Sequence, residues 1–394
     1  MIKHITPNPI RGTIPAIASK SMAHRLMICA ALAKTPTEVI CSTTSKDIEA
    51  TRNCLAAMNE GKSPLPCGES GSTLRFLLPV VAALGLETAF YMEGRLPDRP
   101  LAPLDEELRK HGAVLRKDGA TLHVSGQLTA GDYTLPGNVS SQYISGLLFA
   151  LPLLDGPSTL TVTGKVESEP YIHMTLDALR QFGIHITIDE NVYRIPACTY
   201  KSPGRVYVEG DWSNAAFWLC AGAVSGPVTV TGLDAGSLQG DKAVFELLKQ
   251  FGANCEQTDA AFTVSPAPLH GIEIDAAAIP DLVPILSVVA AKAEGTTRIY
   301  HAERLRLKES DRIETVCRLL RELGGVVEET PDGLLIHGGT PLQGGTADSC
   351  NDHRIAMAAA IASSICQGPV TILGAEAVNK SYPHFWDDHA QLCK

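Results

Sequence analysis

The fold is indicated by the stretch CAGAVSGPVTVTG at residues 220–232, in which an alanine-rich apolar run meets a β-branched run at Gly226. The same pattern returns at Gly156, Gly295 and Gly368, with neighbouring copies 70, 69 and 73 residues apart. An apolar run, a glycine turn and a short β-branched run are typical of a buried helix followed by a strand. Copies at a nearly fixed period indicate a fold built from repeated units.

A second series of segments keeps nearly the same period. Each segment reads Leu, a basic residue, two further residues and Gly, and successive glycines are 71, 69 and 72 residues apart. The glycines are Gly112, Gly183, Gly252 and Gly324. A basic residue followed by glycine is typical of a helix C-terminus, so each unit also contains an amphipathic helix that ends at this glycine.

Weaker copies of the first pattern, near Thr35 and Gly85, bring the number of units to six. Strands and helices alternate in each unit, which predicts an α/β (α+β) fold of βαβ-type repeats. The first unit is short, and we expect a hairpin to be missing between Asn53 and Cys67. A solenoid is the alternative. A chain of 394 residues is longer than a single hydrophobic core usually supports, which favours two lobes. Three units wrapped around their own helices in each lobe would also bury the apolar helices better than a solenoid.

The composition excludes several classes of protein. The net charge of −10 argues against a nucleic-acid partner, because phosphate backbones are bound by basic surfaces. The 11 cysteines are scattered without zinc-site spacing, so we expect reduced, mostly buried thiols and no metal. The N-terminal residues MIKHITPNPIRG lack the apolar core of a secretory signal, and no apolar run is long enough to cross a bilayer. The sequence therefore predicts a cytoplasmic protein without a membrane partner.

Polar and charged residues collect at the start of every predicted apolar helix. N-capping is one explanation, because Ser, Asp and Asn accept hydrogen bonds from the free N–H groups of a helix start. Capping does not explain cations, which are unfavourable near the positive end of a helix dipole and instead indicate an anion site. The residues are Lys20, Ser21 and Arg25; Glu69, Ser70, Gly71, Ser72 and Arg75; Ser140, Ser141 and Gln142; Asp211, Trp212, Ser213 and Asn214; Asp281; and Asn351, Asp352, His353 and Arg354. The capping alternative stays open for Ser213, Asn214, Asn351 and Asp352.

The segment RLRLKESDR at residues 304–312 concentrates charge in a similar way. Lys308 and Arg312 are four residues apart and are predicted to share a helix face, with Glu309 beside them. A solvated, charged helix start is the alternative for this segment taken alone.

Nine stretches, in their order and spacing, resemble the 5-enolpyruvylshikimate-3-phosphate synthase family over nearly the full chain. They are SKSMAHR (19–25), GESGSTLR (68–75), LPDRPLAPL (96–104), VSSQYISGLL (139–148), ESEPYIHMT (167–175), IPDLVPILSV (279–288), RLKESDRI (306–313), NDHRIAMAAA (351–360) and NKSYPHF (379–385). The resemblance implies a two-lobed inside-out α/β barrel of six βαβαββ units, three per lobe, with the first unit shortened. The first lobe would run over residues 18–209, and the second would combine residues 1–17 with 210–394.

The resemblance also implies a reaction: transfer of the enolpyruvyl group of phosphoenolpyruvate to the 5-hydroxyl of shikimate 3-phosphate, with release of phosphate. These two small molecules would be the partners of a monomer that binds them in a positively charged cleft between the lobes, without a cofactor. Their phosphate, carboxylate and hydroxyl groups need hydroxyl and cationic donors. Shikimate 3-phosphate is assigned to Lys20, Ser21, Arg25, Ser140, Ser141, Gln142, Ser168, Tyr171, Asp281 and Lys308. Phosphoenolpyruvate is assigned to Lys20, Gly71, Arg99, Gln142, Arg312, Arg354 and Lys380.

The chemistry requires a base for the ring hydroxyl and an acid that protonates the methylene carbon of phosphoenolpyruvate. The resemblance assigns the base to Asp281, at the head of the fifth apolar helix. Glu309 and Lys20 are the candidate proton donors, and Lys380 is placed near the departing phosphate.

Two other functions stay open at this point. A sister enolpyruvyl transferase acts on a UDP-sugar, but that family commonly has a cysteine in the loop corresponding to GRLPDRP at residues 94–100, which contains none here. A non-catalytic relative that only binds the phosphorylated ligand would not need the acid and the base. Glu69 and Arg304 stand where many family members have Asn, so neither is assigned to a substrate.

Overall fold

The computed structural model describes residues 1–259 and 261–394, which form two compact units. The continuous unit consists of Lys20–Val208. The split unit consists of Met1–Ser19 together with Glu209–Lys394. Each unit has its own core of buried apolar side chains.

The secondary structure alternates between helices and short strands along the whole chain. The split unit begins with β1 (Ile2–Ile5) and β2 (Gly12–Pro15). The continuous unit contains α1 (Lys20–Leu32), β3 (Glu38–Ile40), α2 (Lys46–Asn59), β4 (Leu65–Gly68), α3 (Gly71–Ala83), β5 (Thr88–Met92), α4 (Leu104–Lys110), β6 (Ala113–Asp118), β7 (Thr121–Gly126), β8 (Asp132–Pro136), α5 (Ser141–Ala150), β9 (Ser158–Thr163), α6 (Glu169–Gln181), β10 (Thr187–Asp189), β11 (Val192–Ile195) and β12 (Arg205–Tyr207).

The split unit resumes after β12. It contains α7 (Trp212–Val224), β13 (Val228–Thr231), α8 (Ala243–Phe251), β14 (Asn254–Gln257), β15 (Ala261–Ser265), β16 (Glu273–Asp275), α9 (Val283–Lys292), β17 (Thr296–Tyr300), α10 (Arg312–Glu322), β18 (Val326–Thr330), β19 (Gly333–His337), β20 (Gly345–Asp348), α11 (His353–Ser363), β21 (Val370–Leu373) and α12 (Phe385–Leu392). Short 3₁₀ turns lie between several of these elements, among them Pro280–Leu282, Glu303–Leu307 and Ala375–Lys380.

Four of the sheets formed by the described residues share one strand order, a parallel pair followed by two antiparallel strands. In the continuous unit these are β4-β5-β7-β6 and β8-β9-β11-β10. In the split unit they are β2-β13-β15-β14 and β16-β17-β19-β18. Smaller sheets are formed by β20-β21-β1 and by β3-β12. The predicted α/β class is confirmed, since mixed sheets alternate with helices throughout.

The glycines of the second series end helices as predicted. Gly252 adopts φ 103° directly after α8, and Gly112, Gly183 and Gly324 adopt φ values of 106°, 78° and 87° two residues after α4, α6 and α10. A side chain at such positive φ angles would be strained, so glycine lets the chain leave the helix in this direction. The apolar helices α3, α7, α9 and α11 are buried on nearly all sides, which explains why their sequences carry so few polar residues.

The first repeat differs from the others. After α2 the chain reaches β4 through residues 60–64 alone, and within residues 1–259 and 261–394 β3 pairs only with β12. In this part of the chain, therefore, α2 is not followed by the hairpin that follows the corresponding helix beside each four-stranded sheet.

Candidate active site

The six apolar helices begin where the polar clusters were predicted, at Lys20, Gly71, Ser141, Trp212, Val283 and His353. The side chains of Ser70, Ser140, Asp211 and Asp352 cap four of them by accepting a backbone N–H. The capping explanation is therefore correct for Asp352. It is wrong for Ser213 and Asn214, which lie inside α7, and for Asn351, which precedes the cap of α11 and has the left-handed φ of 57°.

In the split unit, Asp281 is the centre of a group of charged side chains. Its Oδ1 lies 2.8 Å from Arg312 Nη1 and 3.5 Å from Lys308 Nζ, and its Oδ2 lies 3.0 Å from Arg354 Nη2. Burial alone would raise the pKa of Asp281, but the charges of Arg354, Lys308 and Arg312 outweigh burial and hold the pKa well below its usual range. We call this group, together with Glu309 and Asp352, the Asp281 cluster. The carboxylate is thus ionised, and it becomes a stronger base only when another anion competes for its cations.

Arg312 joins the acids of the Asp281 cluster. It is 1% exposed and donates to Glu309 Oε2 and Asp352 Oδ2, each at 2.8 Å, as well as to Asp281. Burial opposes its charge, yet the three carboxylates, Asp352 foremost, raise the pKa of Arg312. Asp352 is fully buried and also accepts hydrogen bonds from Ser310 Oγ and from the backbone N–H of Arg354. Three acids therefore balance the three cations of this cluster.

The prediction that Lys308 and Arg312 share a helix face is wrong. The 3₁₀ turn ends at Leu307, residues 308–311 are not helical, and α10 begins at Arg312. The reason is the cap: the Asp311 carboxylate accepts the backbone N–H of Glu314, which fixes the start of α10 after residue 311. Lys308 and Arg312 come together through the side chain of Asp281 instead.

A second buried carboxyl group interacts with the Asp281 cluster. Burial, followed by the charge of Asp281, raises the pKa of Asp241 to about 6, and Ser213 is its hydrogen-bond partner. Ser213 also accepts a hydrogen bond of 2.7 Å from Arg354 Nη2. Two carboxyl groups whose pKa values are pushed in opposite directions are typical of acid–base sites.

Lys380 lies at the end of the 3₁₀ turn before α12 and is buried. Its ammonium group donates to the backbone carbonyl of Asn351 at 2.7 Å. Cys350 and Asn351 both adopt left-handed φ angles, which direct this carbonyl. Arg304, the departure noted above, donates to the Ala277 carbonyl at 3.3 Å.

In the continuous unit, two arginines converge on the start of α3. A Cβ placed on Gly71 would lie 2.9 Å from Arg99 Nη1 and 3.0 Å from Arg75 Nη1, so glycine is needed for both guanidinium groups to approach the helix start. Arg75 Nη1 donates to Gln142 Oε1 at 2.8 Å, and Gln142 Nε2 donates to Ser72 Oγ at 2.9 Å. Backbone N–H groups at a helix start and two guanidinium groups are donors that suit an anion.

Lys20, the first residue of α1, forms an ion pair with Asp47 in the first turn of α2. The distance from Nζ to Oδ2 is 2.8 Å, and the side chains are 16% and 15% exposed. Asp47 was not among the predicted site residues, because an acid in the first turn of a helix is explained by the helix dipole alone.

The remaining predicted residues of the continuous unit lie around the starts of α1, α5 and α6. Arg25 is buried and donates to the carbonyls of Ser21 (2.6 Å) and Tyr171 (2.8 Å) and to Thr175 Oγ1 (2.9 Å), and burial lowers its pKa to about 10. Ser168 precedes α6 with a left-handed φ of 54°. Ser140 caps α5, and Ser141 is its first residue.

The cations and hydroxyl groups of both units are donors that suit small phosphorylated anions. Each unit places cations and hydroxyl groups at helix starts, and the split unit adds paired acids. Among the described residues, no group of three His, Cys, Asp or Glu side chains is arranged to hold a metal ion. None of the helices in residues 1–259 and 261–394 is both long and apolar enough to cross a membrane.

The chain matches the family model for EPSP synthase (3-phosphoshikimate 1-carboxyvinyltransferase) over residues 5–64 and 57–389. It is 42% identical over 421 aligned positions to the 3-phosphoshikimate 1-carboxyvinyltransferase of Clostridium acetobutylicum, covering 98% of this chain and 96% of the relative. The Clostridium kluyveri protein of the same name is 40% identical, with the same coverage of both chains. The chain therefore belongs to the EPSP synthase family.

Solved structures agree with this assignment. An EPSP synthase from Acinetobacter baumannii superposes with a TM-score of 0.81 at 27% identity, covering 99% of this chain and 98% of the other. The enolpyruvyl transferase NikO from Streptomyces tendae gives a TM-score of 0.76 at 20% identity, covering 99% and 97% of the two chains. The second likeness concerns the fold alone.

Proposed function

We propose that this chain transfers the enolpyruvyl group of phosphoenolpyruvate to the 5-hydroxyl of shikimate 3-phosphate and releases phosphate by addition and elimination. The chain is a transferase of the shikimate pathway, like the relatives named 3-phosphoshikimate 1-carboxyvinyltransferase. The observation that carries the proposal is the Asp281 cluster, in which a potential base, Asp281, and a potential acid, Glu309, both contact the buried guanidinium group of Arg312.

Asp281 is proposed as the base for the ring hydroxyl. In the structure its charge is compensated by Arg312, Arg354 and Lys308, so its pKa is low. An anionic substrate that draws these cations toward its own phosphate or carboxylate would raise the pKa of Asp281 and make it a better proton acceptor. The same cations would stabilise the charge that develops in the transition state.

Glu309 and Lys20 are proposed as the acids that protonate the methylene carbon, and Lys380 is proposed to assist the departing phosphate. Glu309 lies 2.8 Å from Arg312 in the same cluster as the base, and because this guanidinium group favours the ionised form, Glu309 would have to take up a proton before it could donate one. Lys20 is held by Asp47 and supplies positive charge in the continuous unit.

Substrate contacts are proposed separately for the two molecules. For phosphoenolpyruvate, the convergence of Arg99 and Arg75 at Gly71 supports an anion site next to Gln142. Arg75 is therefore added to the residues expected from the sequence. Lys20, Arg312, Arg354 and Lys380 complete the proposed set.

The shikimate 3-phosphate contacts rest on hydroxyl groups and cations at helix starts. Ser21, Arg25 and Tyr171 support this assignment because hydrogen bonds from Arg25 join α1 to α6. The other proposed residues are Lys20, Ser140, Ser141, Gln142, Ser168, Asp281 and Lys308.

We extend the proposal to the organisation of the chain. The shared strand order of four sheets supports a pattern of βαβαββ repeats, in six units with the first one shortened, that forms an inside-out barrel. The proposed lobes are residues 18–209 and residues 1–17 with 210–394. We further propose that the enzyme works as a monomer in the cytoplasm, where multiply charged substrates that cross apolar barriers poorly would be retained.

The test is release of phosphate from phosphoenolpyruvate by the purified chain, measured in parallel with shikimate 3-phosphate and with a UDP-sugar acceptor. The proposal expects release that depends on shikimate 3-phosphate. Release with the UDP-sugar alone would assign the chain to the sister activity. No release with either acceptor, together with binding of shikimate 3-phosphate in calorimetry, would leave a ligand-binding protein without catalysis.

A further inference from the structure

A line of buried hydrogen bonds joins the first three helices of the continuous unit. His24 Nδ1 lies 2.7 Å from Thr51 Oγ1, which lies 2.6 Å from Thr73 Oγ1, and Thr73 Oγ1 donates to Ser70 Oγ at 2.7 Å. These four side chains are at most 1% exposed. They come from α1, α2, α3 and the cap of α3, and we call them the His24 relay.

The hydrogen bonds of the relay all donate in the same direction, from His24 toward Ser70. Thr73 donates its hydroxyl proton to Ser70, so it must accept the hydroxyl proton of Thr51. Thr51 in turn must accept the Nδ1–H of His24. His24 Nε2 has no hydrogen-bond partner among the described residues. Burial, followed by the charges of Lys20 and Arg25, lowers the pKa of His24 well below its usual value, which favours the neutral ring, and the hydrogen bonds of the relay require the Nδ1–H tautomer of that ring.

The relay lies one helical turn away from groups of the proposed active site. His24 follows Lys20 by four residues on α1, and Thr51 follows Asp47 by four residues on α2. Residues four apart lie on one helix face, one above the other. The Lys20–Asp47 ion pair (2.8 Å) and the His24–Thr51 hydrogen bond (2.7 Å) are therefore successive connections between the same two helices.

The far end of the relay reaches the anion site at the start of α3. Ser70 accepts both the hydroxyl and the backbone N–H of Thr73 and thereby caps α3, whose first residue is Gly71. A small slide of α1 or α3 past α2 would leave buried donors and acceptors unpaired, which costs far more than the same slide between apolar surfaces.

We infer that His24, Thr51 and Thr73 are positioning residues that fix the register of α1, α2 and α3, so that the Lys20 ammonium group and the Gly71 helix start are held in place for phosphoenolpyruvate. The inference rests on the proposed function, because it gives these helix starts a substrate. Apolar packing holds the helices together, and the relay determines their positions along one another.

The test uses Thr51→Val, which keeps the shape of the side chain and removes the hydroxyl group in the middle of the relay. We expect kcat/KM for phosphoenolpyruvate to fall by about tenfold to a hundredfold, the cost of misplacing catalytic groups by a fraction of an ångström to an ångström. Thr51→Ser keeps the hydroxyl group and should restore most of the loss. Thr229→Val, which removes the 2.8 Å hydroxyl contact with Thr263 in the split unit, is the matched control and should leave kcat/KM unchanged.

A double-mutant cycle with Asp47→Asn separates positioning from simple destabilisation. If the relay acts through the Lys20–Asp47 pair, the loss caused by Thr51→Val should be much smaller in the Asp47→Asn background. A lower melting temperature with unchanged kcat/KM in Thr51→Val would overturn the inference, and losses that multiply in the double variant would overturn its claim for Lys20.

If the wild-type chain releases no phosphate, the proposed function is refuted and kcat/KM cannot test the inference. A measurement that does not depend on turnover then tests the inference separately. The rate of amine-specific labelling at Lys20, followed by mass spectrometry on the folded protein, should rise several-fold in Thr51→Val and return in Thr51→Ser. Equal labelling rates in the wild-type chain and in Thr51→Val would refute the inference whatever the activity.

Discussion

Asp352→Asn is expected to destabilise the split unit strongly. Asp352 is fully buried and holds Arg312 Nε at 2.8 Å, and Arg312 itself is 1% exposed. The substitution removes the negative charge and can turn an NH₂ group toward a guanidinium donor. Breaking one partner of a buried ion pair typically costs about 3–5 kcal/mol. Arg312 keeps Asp281 and Glu309, so we expect the lower part of this range, about 3 kcal/mol.

Tryptophan fluorescence during urea unfolding measures this loss selectively. All three tryptophans, Trp212, Trp218 and Trp386, lie in the split unit, so their emission follows that unit alone. The control is Glu246→Gln, which removes a carboxylate of the same unit whose pair with Lys249 is largely exposed. Such surface pairs contribute about 0–1 kcal/mol.

Destabilisation by less than about 1 kcal/mol in Asp352→Asn, equal to the Glu246→Gln control, would refute this reasoning. It would mean that Arg312 is held equally well by Asp281 and Glu309. The Asp281 cluster would then tolerate the loss of one of its three acids without rearrangement.

Two further predictions concern the continuous unit and the C-terminal helix. Gly71→Ala should raise KM for phosphoenolpyruvate by about tenfold or more, because the added Cβ displaces Arg99 and Arg75. The unfolding free energy should change by less than about 1 kcal/mol, since only the flexible ends of these side chains must move. Unchanged KM in steady-state assays would show that the arginines do not bind this substrate. Burial lowers the pKa of His389 in the folded chain to about 4, below the value of about 6.5 in the unfolded chain. As the pH falls from about 6.5 toward 4, the unfolded chain therefore takes up a proton that the folded chain does not, and the folded state loses stability. Above pH about 6.5 the contribution of His389 to stability is complete. His389→Gln should therefore flatten the pH dependence of the unfolding free energy in this window by up to about 3 kcal/mol, and an unaltered profile would contradict the assignment.

Much of the fold could be predicted because the repeat makes each signal visible several times. The helix starts at Gly71, Ser141 and His353 and the left-handed glycine after α8 follow from local chemistry that the sequence carries directly. The order of strands within each sheet depends on contacts between residues distant in sequence. A periodic pattern of apolar residues therefore does not determine it.

The residue types of the candidate site could be predicted from the sequence, but the contacts between its side chains could be predicted less well. The spacing of Lys308 and Arg312 favoured a shared helix face, but the Asp311 cap starts α10 too late for that arrangement. Asp352 supports Arg312 across 40 residues of sequence, a pairing that no local rule reveals. The His24 relay was hidden for the same reason, since His24, Thr51 and Thr73 lie on three different helices and meet only in the folded chain.

The most direct measurement is the turnover of Asp281→Ala, compared with its affinity for shikimate 3-phosphate in calorimetry. If Asp281 is the base, phosphate release should fall to the background rate, while shikimate 3-phosphate binding stays within about tenfold of the wild-type chain because the cations and hydroxyl groups remain. Phosphate release at the wild-type rate from this variant would show that the base is another group and that the Asp281 cluster is not the catalytic centre.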